Sequence, residues 1–293
     1  IITPFGEMAK IVHRGGGYCF VDFAASAPYV DIDMHPADPD ERLDAVMFSP
    51  HKFLGGPGTS GVLVMNNILY KQGTPDLPGG GTVKWTPPFG THRYVDDIEA
   101  REDGGTPGFL QAIRIALAIK LKEVMGIRQM NEREEEIKAL FIEEICQEPG
   151  IILLENKNSP RIAVFSFYVE SIHHNLIVRL LNDHYGIQTR GGCSCAGTYG
   201  HILFHITKKL SEQITALIDN GDLSEKPGWV RVSLHPTMTN DEIRYIGSAI
   251  VETVRYAAKW DKEYSFDLHS GDYVHFSGRK QEIPDLISTF RAT

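Results

Sequence analysis

The sequence predicts an α/β protein in which part of a largely parallel sheet is followed by a smaller α+β domain. Short apolar runs at residues 18–22, 45–48 and 61–65 are separated by loops rich in glycine and proline, a pattern typical of buried strands. The amphipathic segment 5–13 precedes them, so that helix and strand alternate as in a parallel sheet. Such sheets bind ligands at the carboxyl ends of strands, where Asp22 and the loop after Phe48 lie.

From residue 106 the apolar period changes to three and four residues, which predicts helices. The first of these is expected to bury one face, formed by Leu110, Ile113, Leu117, Leu121 and Val124. Later strands at 151–154 and 161–168 alternate with helices, and Thr239 and Glu242 have the spacing of a capping box. We therefore expect a sheet domain at 1–105, a connecting helix at 106–128, a small domain at 129–259 and a tail at 260–293.

Composition restricts the classes of function. With 42% hydrophobic and 23% charged residues the protein is expected to be soluble and globular, and its net charge of -9 argues against a nucleic-acid partner. No run of about 18 apolar residues occurs, so we expect no membrane partner. The four cysteines are too few for a disulfide scaffold, which favours a cytoplasmic location.

Lys52 is the main candidate for chemistry, because it follows the strand at 45–48 in the segment SPHKFLGG. A lysine held in such a turn and shielded from water loses its proton more easily, which makes the neutral amine available for imine formation. Asp22 ends an earlier strand and could pair with a pyridinium nitrogen, while Ser49 and His51 could donate to a phosphate. The alternative is an ordinary surface lysine.

Three segments occur in an order that resembles the class V aminotransferases, and among them the cysteine desulfurases and selenocysteine lyases. They are residues 22–26 (DFAAS), 49–52 (SPHK) and 104–107 (GGTP). The resemblance covers the chain from residue 1 to about residue 258. It implies a transferase of fold type I that depends on pyridoxal 5′-phosphate (PLP), of which this chain supplies part of the large parallel-sheet domain and the smaller C-terminal domain.

The resemblance also implies roles for the cofactor residues. Asp22 would hold the pyridine nitrogen, and Lys52 would form the Schiff base with PLP. Ser49 and His51 would contact the cofactor phosphate. Thr106 would reach the phosphate bound by the other subunit of a homodimer with shared active sites.

Two further positions follow from the same resemblance. Family members often carry Gln at the position of Ala25, near the ring hydroxyl of PLP, and we expect the neighbouring Ser26 to take its place. Arg231, in the segment WVRVS, matches the arginine that binds the carboxylate of a small amino-acid substrate. A guanidinium suits that task because it can form two parallel hydrogen bonds to a carboxylate.

A second motif, residues 190–197 (RGGCSCAG), resembles the family's catalytic-cysteine loop. Cys195 has the position of the persulfide-forming residue, and Arg190 is expected to favour its thiolate and to contact substrate. This implies that sulfur passes from cysteine to Cys195 and on to an acceptor, with release of alanine. Desulfurases often place histidines before this cysteine, so an aminotransferase or lyase acting on another amino acid is the alternative. Cys193 is interpreted as structural.

A third possibility is a non-catalytic or zinc-binding form of the fold. Cys193, Cys195, His201 and His205 have the spacing Cys-x-Cys-x5-His-x3-His. Structural zinc sites usually separate their cysteines by about two to four residues, so we expect no metal. The pair His173-His174 starts a predicted helix and is expected to lie at the surface.

Family members have a long N-terminal portion before the strand that ends in the cofactor aspartate, with a threonine-rich phosphate loop and a histidine that stacks on the ring. Nothing of this kind precedes Phe20. A sheet without those strands would have an unpaired edge. We therefore expect a fragment, one piece of a split protein or a partial sequence, which by itself holds PLP weakly.

Overall fold

The computed structural model describes residues 2–156 and 158–278, which form two compact units. The first unit is Ile2–Asn131, and the second begins at Glu132. Within the described ranges, none of the helices combines the length and the apolar character that crossing a bilayer requires.

The first unit contains a three-stranded sheet, a short strand pair and three α-helices. Its elements are α1 (Phe5–Arg14), β1 (Phe20–Asp22), β2 (Ala45–Phe48), β3 (Val62–Met65), β4 (Val83–Trp85), β5 (Arg93–Tyr94), α2 (Ile98–Glu102) and α3 (Phe109–Met125). β1 and β2 are parallel, whereas β3 is antiparallel to β2, so the sheet is mixed. The helix predicted at 5–13 and the strand predicted at 45–48 are confirmed.

Helix α1 is fixed to this sheet by aromatic packing and by a buried hydrogen bond between a histidine and a carboxylate. The rings of Phe5 and Phe23 meet edge to face with centroids 5.1 Å apart. The Nε2 atom of His13 lies 2.9 Å from Oδ2 of the buried Asp44, which also accepts a hydrogen bond from the backbone N–H of Cys19 at 2.8 Å. The carboxylate therefore ties the helix to the residues that directly precede β1 and β2.

Helix α3 differs from the sequence prediction, because the apolar face expected to be buried is exposed. Leu110 is 79% exposed and Leu117 is 65% exposed, and the other three predicted residues of this face are exposed as well. The helix packs through its opposite side, where Ala118 is buried in the core of the first unit. The period of three and four residues identifies an apolar face, but it does not show that this chain supplies a partner for it.

The second unit contains most of α4 (Ile127–Ile145), β6 (Ile152–Leu153), β7 (Val164–Tyr168), α5 (His174–Tyr185), β8 (Arg190–Gly191), α6 (Gly197–Leu203), α7 (Lys208–Asp219), β9 (Val230–Ser233), α8 (Asn240–Trp260), β10 (Tyr264–Phe266) and β11 (Tyr273–His275). Four of these strands form a sheet of order β6-β7-β9-β8 in which all neighbouring strands are antiparallel.

The core of the second unit lies between the sheet and helices α4, α5 and α8. Phe141 of α4 stacks on Phe165 of β7 with centroids 4.7 Å apart, and both are fully buried. Helix α8 starts with the predicted capping box, since Thr239 and Glu242 each bond the other's backbone N–H. Gly247 of α8 lets this helix approach α4, because a Cβ at this position would lie 2.5 Å from that of Glu144.

The described part of the predicted tail has regular structure. Strands β10 and β11 form an antiparallel pair, with Tyr264 opposite His275. Tyr264 is buried and its hydroxyl donates to Asp183 of α5 at 3.1 Å. The hairpin thus packs on the second unit, and the remainder of the predicted tail lies outside the described residues.

Candidate active-site residues

Asp22 lies at the carboxyl end of β1, directly opposite Met47 of the parallel neighbour β2. The backbone N–H of Phe23 donates to the carbonyl oxygen of Met47 at 2.7 Å, which extends the pairing beyond the strand. One carboxylate oxygen of Asp22 accepts from the backbone N–H of Ala24 at 2.7 Å. The other oxygen has no partner among the described residues and is available to a ligand.

The turn that carries Lys52 follows β2 directly. A single 3-10 turn, Pro50–Lys52, is closed by bonds from the N–H of Lys52 to Ser49 and from the N–H of Phe53 to Pro50, at 3.0 and 2.9 Å. Gly56 then passes so close that a Cβ there would lie 1.9 Å from the Pro50 carbonyl oxygen. The sequence Lys-Phe-Leu-Gly-Gly therefore fixes the backbone of the lysine.

The side chain of Lys52 is exposed, which corrects the expectation that it is shielded from water. The turn directs Phe53 rather than Lys52 into the core, where Phe53 lies 6.0 Å from the ring of Phe48. The lysine amine makes no hydrogen bond or ion pair within the described part of the chain. Ser49 also makes no capping bond with its side chain, and His51 is exposed. A hydroxyl, an imidazole and an amine, which together could bind an aldehyde that carries a phosphate, thus lie within four residues.

Sequence reasoning missed Lys122 of α3. Its ammonium donates to the carbonyl oxygens of Ala27 and Val30, both at 2.6 Å, and lies 5.8 Å from the centre of the Phe53 ring. Burial lowers the pKa of Lys122. The lysine therefore holds the turn after Asp22, which contains the predicted cofactor residue Ser26. The available signal was a lysine on the side of the helix that carries Ala118 and Ile119, opposite the predicted apolar face.

Thr106 lies in the loop between α2 and α3 and is exposed. Two glycines shape this loop. Gly105 has a φ of +98°, and a Cβ on Gly104 would lie 2.4 Å from the carbonyl oxygen of Leu77. The N–H of Gly105 donates to Gly80 at 2.9 Å. The segment GGTP therefore requires glycine at residue 104 because the backbone of Leu77 is too close for a Cβ, and at residue 105 because φ is positive.

Arg190 and Arg231 form a cationic pair in the second unit. They lie directly opposite each other on the antiparallel strands β8 and β9. Neither forms an ion pair with a carboxylate in the portion of the chain that the structure describes, and the buried Nε of Arg231 lacks a hydrogen-bond partner. Burial lowers the pKa of Arg231, the charge of Arg190 lowers it further, and Cys195 acts in the opposite direction. Like charges in this position are unfavourable unless an anion binds them.

The two cysteines of the loop differ in environment. Cys193 is half-buried and its Sγ donates to the carbonyl oxygen of Pro227 at 3.2 Å, while burial raises the pKa of its thiol. Cys195 is exposed. Between them Ser194 has a φ of +54°, a left-handed conformation that is uncommon for serine. This geometry supports a structural role for Cys193 and leaves Cys195 accessible.

The zinc alternative has no support from the described residues, among which no group of three or more histidine, cysteine or acidic side chains is arranged to hold a metal ion. Both ring nitrogens of His201 are engaged, Nδ1 with the carbonyl oxygen of Gly197 at 2.9 Å and Nε2 with the hydroxyl of Ser211 at 3.0 Å. His205 is exposed. His174, in contrast, is buried, so the expectation that it lies at the surface is wrong.

Several solved structures share this fold. The apo structure of a cysteine desulfurase from Thermococcus onnurineus has a TM-score of 0.69 at 24% identity and covers 87% of this chain and 57% of that chain. The cysteine desulfurase CsdA from Escherichia coli has a TM-score of 0.68 at 22% identity and covers 87% and 56%. These likenesses confirm the predicted fold class.

Sequence comparison also finds proteins named as cysteine desulfurases. A probable cysteine desulfurase of Halobacterium salinarum is 30% identical over 198 residues, which are 66% of this chain and 45% of that protein. A cysteine desulfurase of Haloferax volcanii is 26% identical and covers 66% and 44%. The chain thus spans about half the length of the curated relatives it matches. The family model described as aminotransferase class-V matches residues 1–246, and on this match the chain belongs to the class V aminotransferase family.

Proposed function

We propose that this chain forms part of a PLP-dependent cysteine desulfurase, since the four similar proteins above are named as cysteine desulfurases, one of them as a probable one. The observation that carries the proposal is the pair Arg190 and Arg231, which has no carboxylate partner among the described residues and lies close enough to Cys195 for the thiol to affect the pKa of Arg231. A carboxylate-binding pair beside an accessible thiol suits a substrate that is both an amino acid and a sulfur donor.

The residues of the first unit fit PLP. Asp22 has one carboxylate oxygen without a partner in the described chain, as a ring nitrogen requires, and Ser49 keeps its hydroxyl free of the backbone. The close approach of Gly56 to Pro50 fixes the turn that presents Lys52. When bound, the cofactor supplies an electron sink for bonds at the substrate Cα.

The resemblance to the family supplies the roles of the protein groups, and the chemistry of each side chain fits its role. Lys52 would hold the cofactor through its amine and would then move the proton at the substrate Cα. Asp22 would keep a proton on the ring nitrogen. Ser49 and His51 would donate to the phosphate, and Ser26 to the ring hydroxyl.

On the substrate side, Arg231 and Arg190 would bind the α-carboxylate, which also relieves the repulsion between the two guanidinium groups. The thiolate of Cys195 would attack the substrate sulfur, forming a sulfur–sulfur bond as the bond between Cβ and sulfur breaks. The electron pair of the broken bond stays with carbon, which takes up a proton and leaves as alanine. The persulfide on Cys195 would then pass its outer sulfur to an acceptor.

Two further elements belong to the proposal. Thr106, exposed directly after the two glycines that fix its loop, would contact the phosphate bound by the second subunit of a homodimer. The four cysteines of the chain are all free, which suits a reducing compartment such as the cytosol.

The test compares Cys195→Ser with Cys193→Ser in the protein that carries this chain, supplied with PLP, L-cysteine and a thiol reductant. We expect equal amounts of alanine and sulfide from the wild type, none from Cys195→Ser, and turnover by Cys193→Ser. Full alanine formation by Cys195→Ser would contradict the sulfur role. Transfer of the amino group to a keto acid without sulfide release would show instead the aminotransferase alternative, which the arginine pair would serve equally well.

A further inference from the structure

A cavity of about 120 Å³ with polar and apolar walls lies in the second unit at the N-terminus of helix α5. Its lining includes His174 and Asn175 of α5, Gly192 of the cysteine loop, and Lys226. Ser270 and Gly271 complete it from the turn between β10 and β11. That hairpin lies beyond residue 246, where the family match ends, so the cavity includes a part of the chain outside the match.

His174 is the first sign of a ligand. Its side chain lines the cavity, the residue is only 8% exposed, and the described residues offer its ring no hydrogen-bond partner. Because the ring is unpaired within the described residues and the residue lines the cavity, a ligand there can bond to it. Burial is the main cause that lowers the pKa of His174 to about 3, with smaller contributions from His173 and Lys226, so the ring is neutral near pH 7.

The neighbouring His173 orders this wall of the cavity. Its ring stacks on that of His174 with centroids 4.2 Å apart. Its Nδ1 accepts from the backbone N–H of Asn175 at 3.2 Å, which places the ring proton on Nε2. The Nε2 atom is buried without a partner in the described chain. Glu225 affects the pKa of His173 but does not line the cavity.

The other polar groups of the lining are mostly donors. The ammonium of Lys226 has no carboxylate partner in the described ranges. The hydroxyl of Ser270 accepts from the N–H of Asp272 at 3.2 Å, which leaves its own proton for a ligand. The backbone N–H of His174 belongs to the first turn of α5, where orphan N–H groups and the helix dipole favour an anion. Asn175, whose Nδ2 donates to Gly271, offers an acceptor, and the other groups favour a ligand that is rich in acceptors and negatively charged.

We propose that the cavity binds a small tetrahedral oxyanion of the phosphate or sulfate type. Its volume is several times the roughly 15 Å³ that a single water needs, so one such anion fits together with ordered water. Lys226 supplies the charge, and Ser270 and His174 supply directional hydrogen bonds. The proposal is independent of the desulfurase reaction, because none of these residues has a role in it.

The ligand would contact the anchor of the cysteine loop. Gly192 precedes Cys193, and Pro227, whose carbonyl oxygen accepts from the thiol of Cys193, follows Lys226. An anion between Lys226 and Gly192 would therefore touch both segments that hold this thiol in place.

The test is an NMR titration of the isotope-labelled protein with sodium phosphate and then with sodium sulfate, at an ionic strength kept constant with sodium chloride. The reporters are the ring signals of His174 and the amide signals of Ser270 and Gly271. They distinguish this cavity from the PLP phosphate groups of the first unit, which inorganic phosphate could also occupy. We expect a saturable shift of the reporters.

Lys226→Met should weaken the binding at least about tenfold, because it removes a charged hydrogen bond. Lys209→Met removes an exposed lysine of α7 and should leave the affinity unchanged. Ser270→Ala is a second change that should also weaken binding, and it removes one exposed turn bond from the N–H of Asp272 as well. The proposal is overturned if chloride shifts the reporters as phosphate does, if only acetate shifts them, or if Lys209→Met loses as much affinity as Lys226→Met.

Discussion

Gly56 approaches the carbonyl oxygen of Pro50 so closely that a Cβ on the glycine would lie 1.9 Å from that oxygen. The contact closes the turn on which Lys52 is placed. Any side chain at residue 56 must therefore push the two backbone segments apart and move the lysine.

Gly56→Ala is expected to destabilise the first unit by ~1–3 kcal/mol, the usual cost of overpacking, and to abolish capture of PLP. The matched control is Gly61→Ala, where the nearest atom to a new Cβ is 3.9 Å away. Urea denaturation and the absorbance of bound PLP would measure both effects. Normal PLP capture by Gly56→Ala would show that the turn geometry is not required.

Lys122→Met should loosen the turn after Asp22, because the charged hydrogen bonds to Ala27 and Val30 are lost. We expect a loss of ~1–3 kcal/mol in the free energy of unfolding and weaker PLP binding. Lys120→Met on the same helix removes only an exposed ion pair with Glu123 and should change stability by less than ~0.5 kcal/mol. Equal effects of the two substitutions would argue against a positioning role for Lys122.

The exposed apolar face of α3 gives a prediction opposite to that of the sequence pattern. Leu117→Ala should change the free energy of unfolding by less than ~0.5 kcal/mol, whereas Phe141→Ala in the core of the second unit should cost ~3–5 kcal/mol. Denaturation curves of the two variants give the comparison. A cost of several kcal/mol for Leu117→Ala would mean that the face is buried in solution.

The pKa of the Asp44 carboxyl determines how this residue's contribution to the stability of the first unit depends on pH. Its burial alone would raise the carboxyl pKa, but the hydrogen bonds from His13 and the N–H of Cys19 outweigh it and lower the pKa. A lowered pKa in the folded state means that the contribution is complete above the unfolded value of about 3.9 and is lost as the pH falls through the folded value. The first unit should therefore lose stability below about pH 4.

Asp44→Asn should be less stable than the wild type at pH 7 and should show a flatter acid limb, measured as the urea midpoint against pH. Asp103→Asn, an exposed residue after α2, is the control and should leave the profile unchanged. Identical profiles for Asp44→Asn and the wild type would contradict the assignment.

Local signals explain which parts of the fold could be predicted. The apolar pattern of the strand at 45–48 lies within a single short stretch of sequence, and so does that of the helix at 5–13. The capping box of Thr239 and Glu242 spans only four residues and was also confirmed. The positions of Asp22 at the end of β1 and of Lys52 in the turn after β2 could be predicted in the same way, whereas their roles remain predictions.

Features that depend on distant residues were not predicted. The antiparallel direction of β3 depends on its partner strand, and the burial of His174 depends on packing from elsewhere in the second unit. The exposure of Lys52 is set by which residue of the turn enters the core, and here it is Phe53. Lys122 reaches a turn more than 90 positions earlier in the chain, a contact that no local pattern contains.

Lys52 is expected to form the Schiff base with PLP, and borohydride trapping followed by peptide mass spectrometry detects that bond. We expect that reduction fixes one cofactor on Lys52, that Lys52→Ala carries none, and that the exposed control Lys71→Ala is labelled like the wild type. A label on another lysine, or a wild-type protein that takes up no PLP, would contradict it.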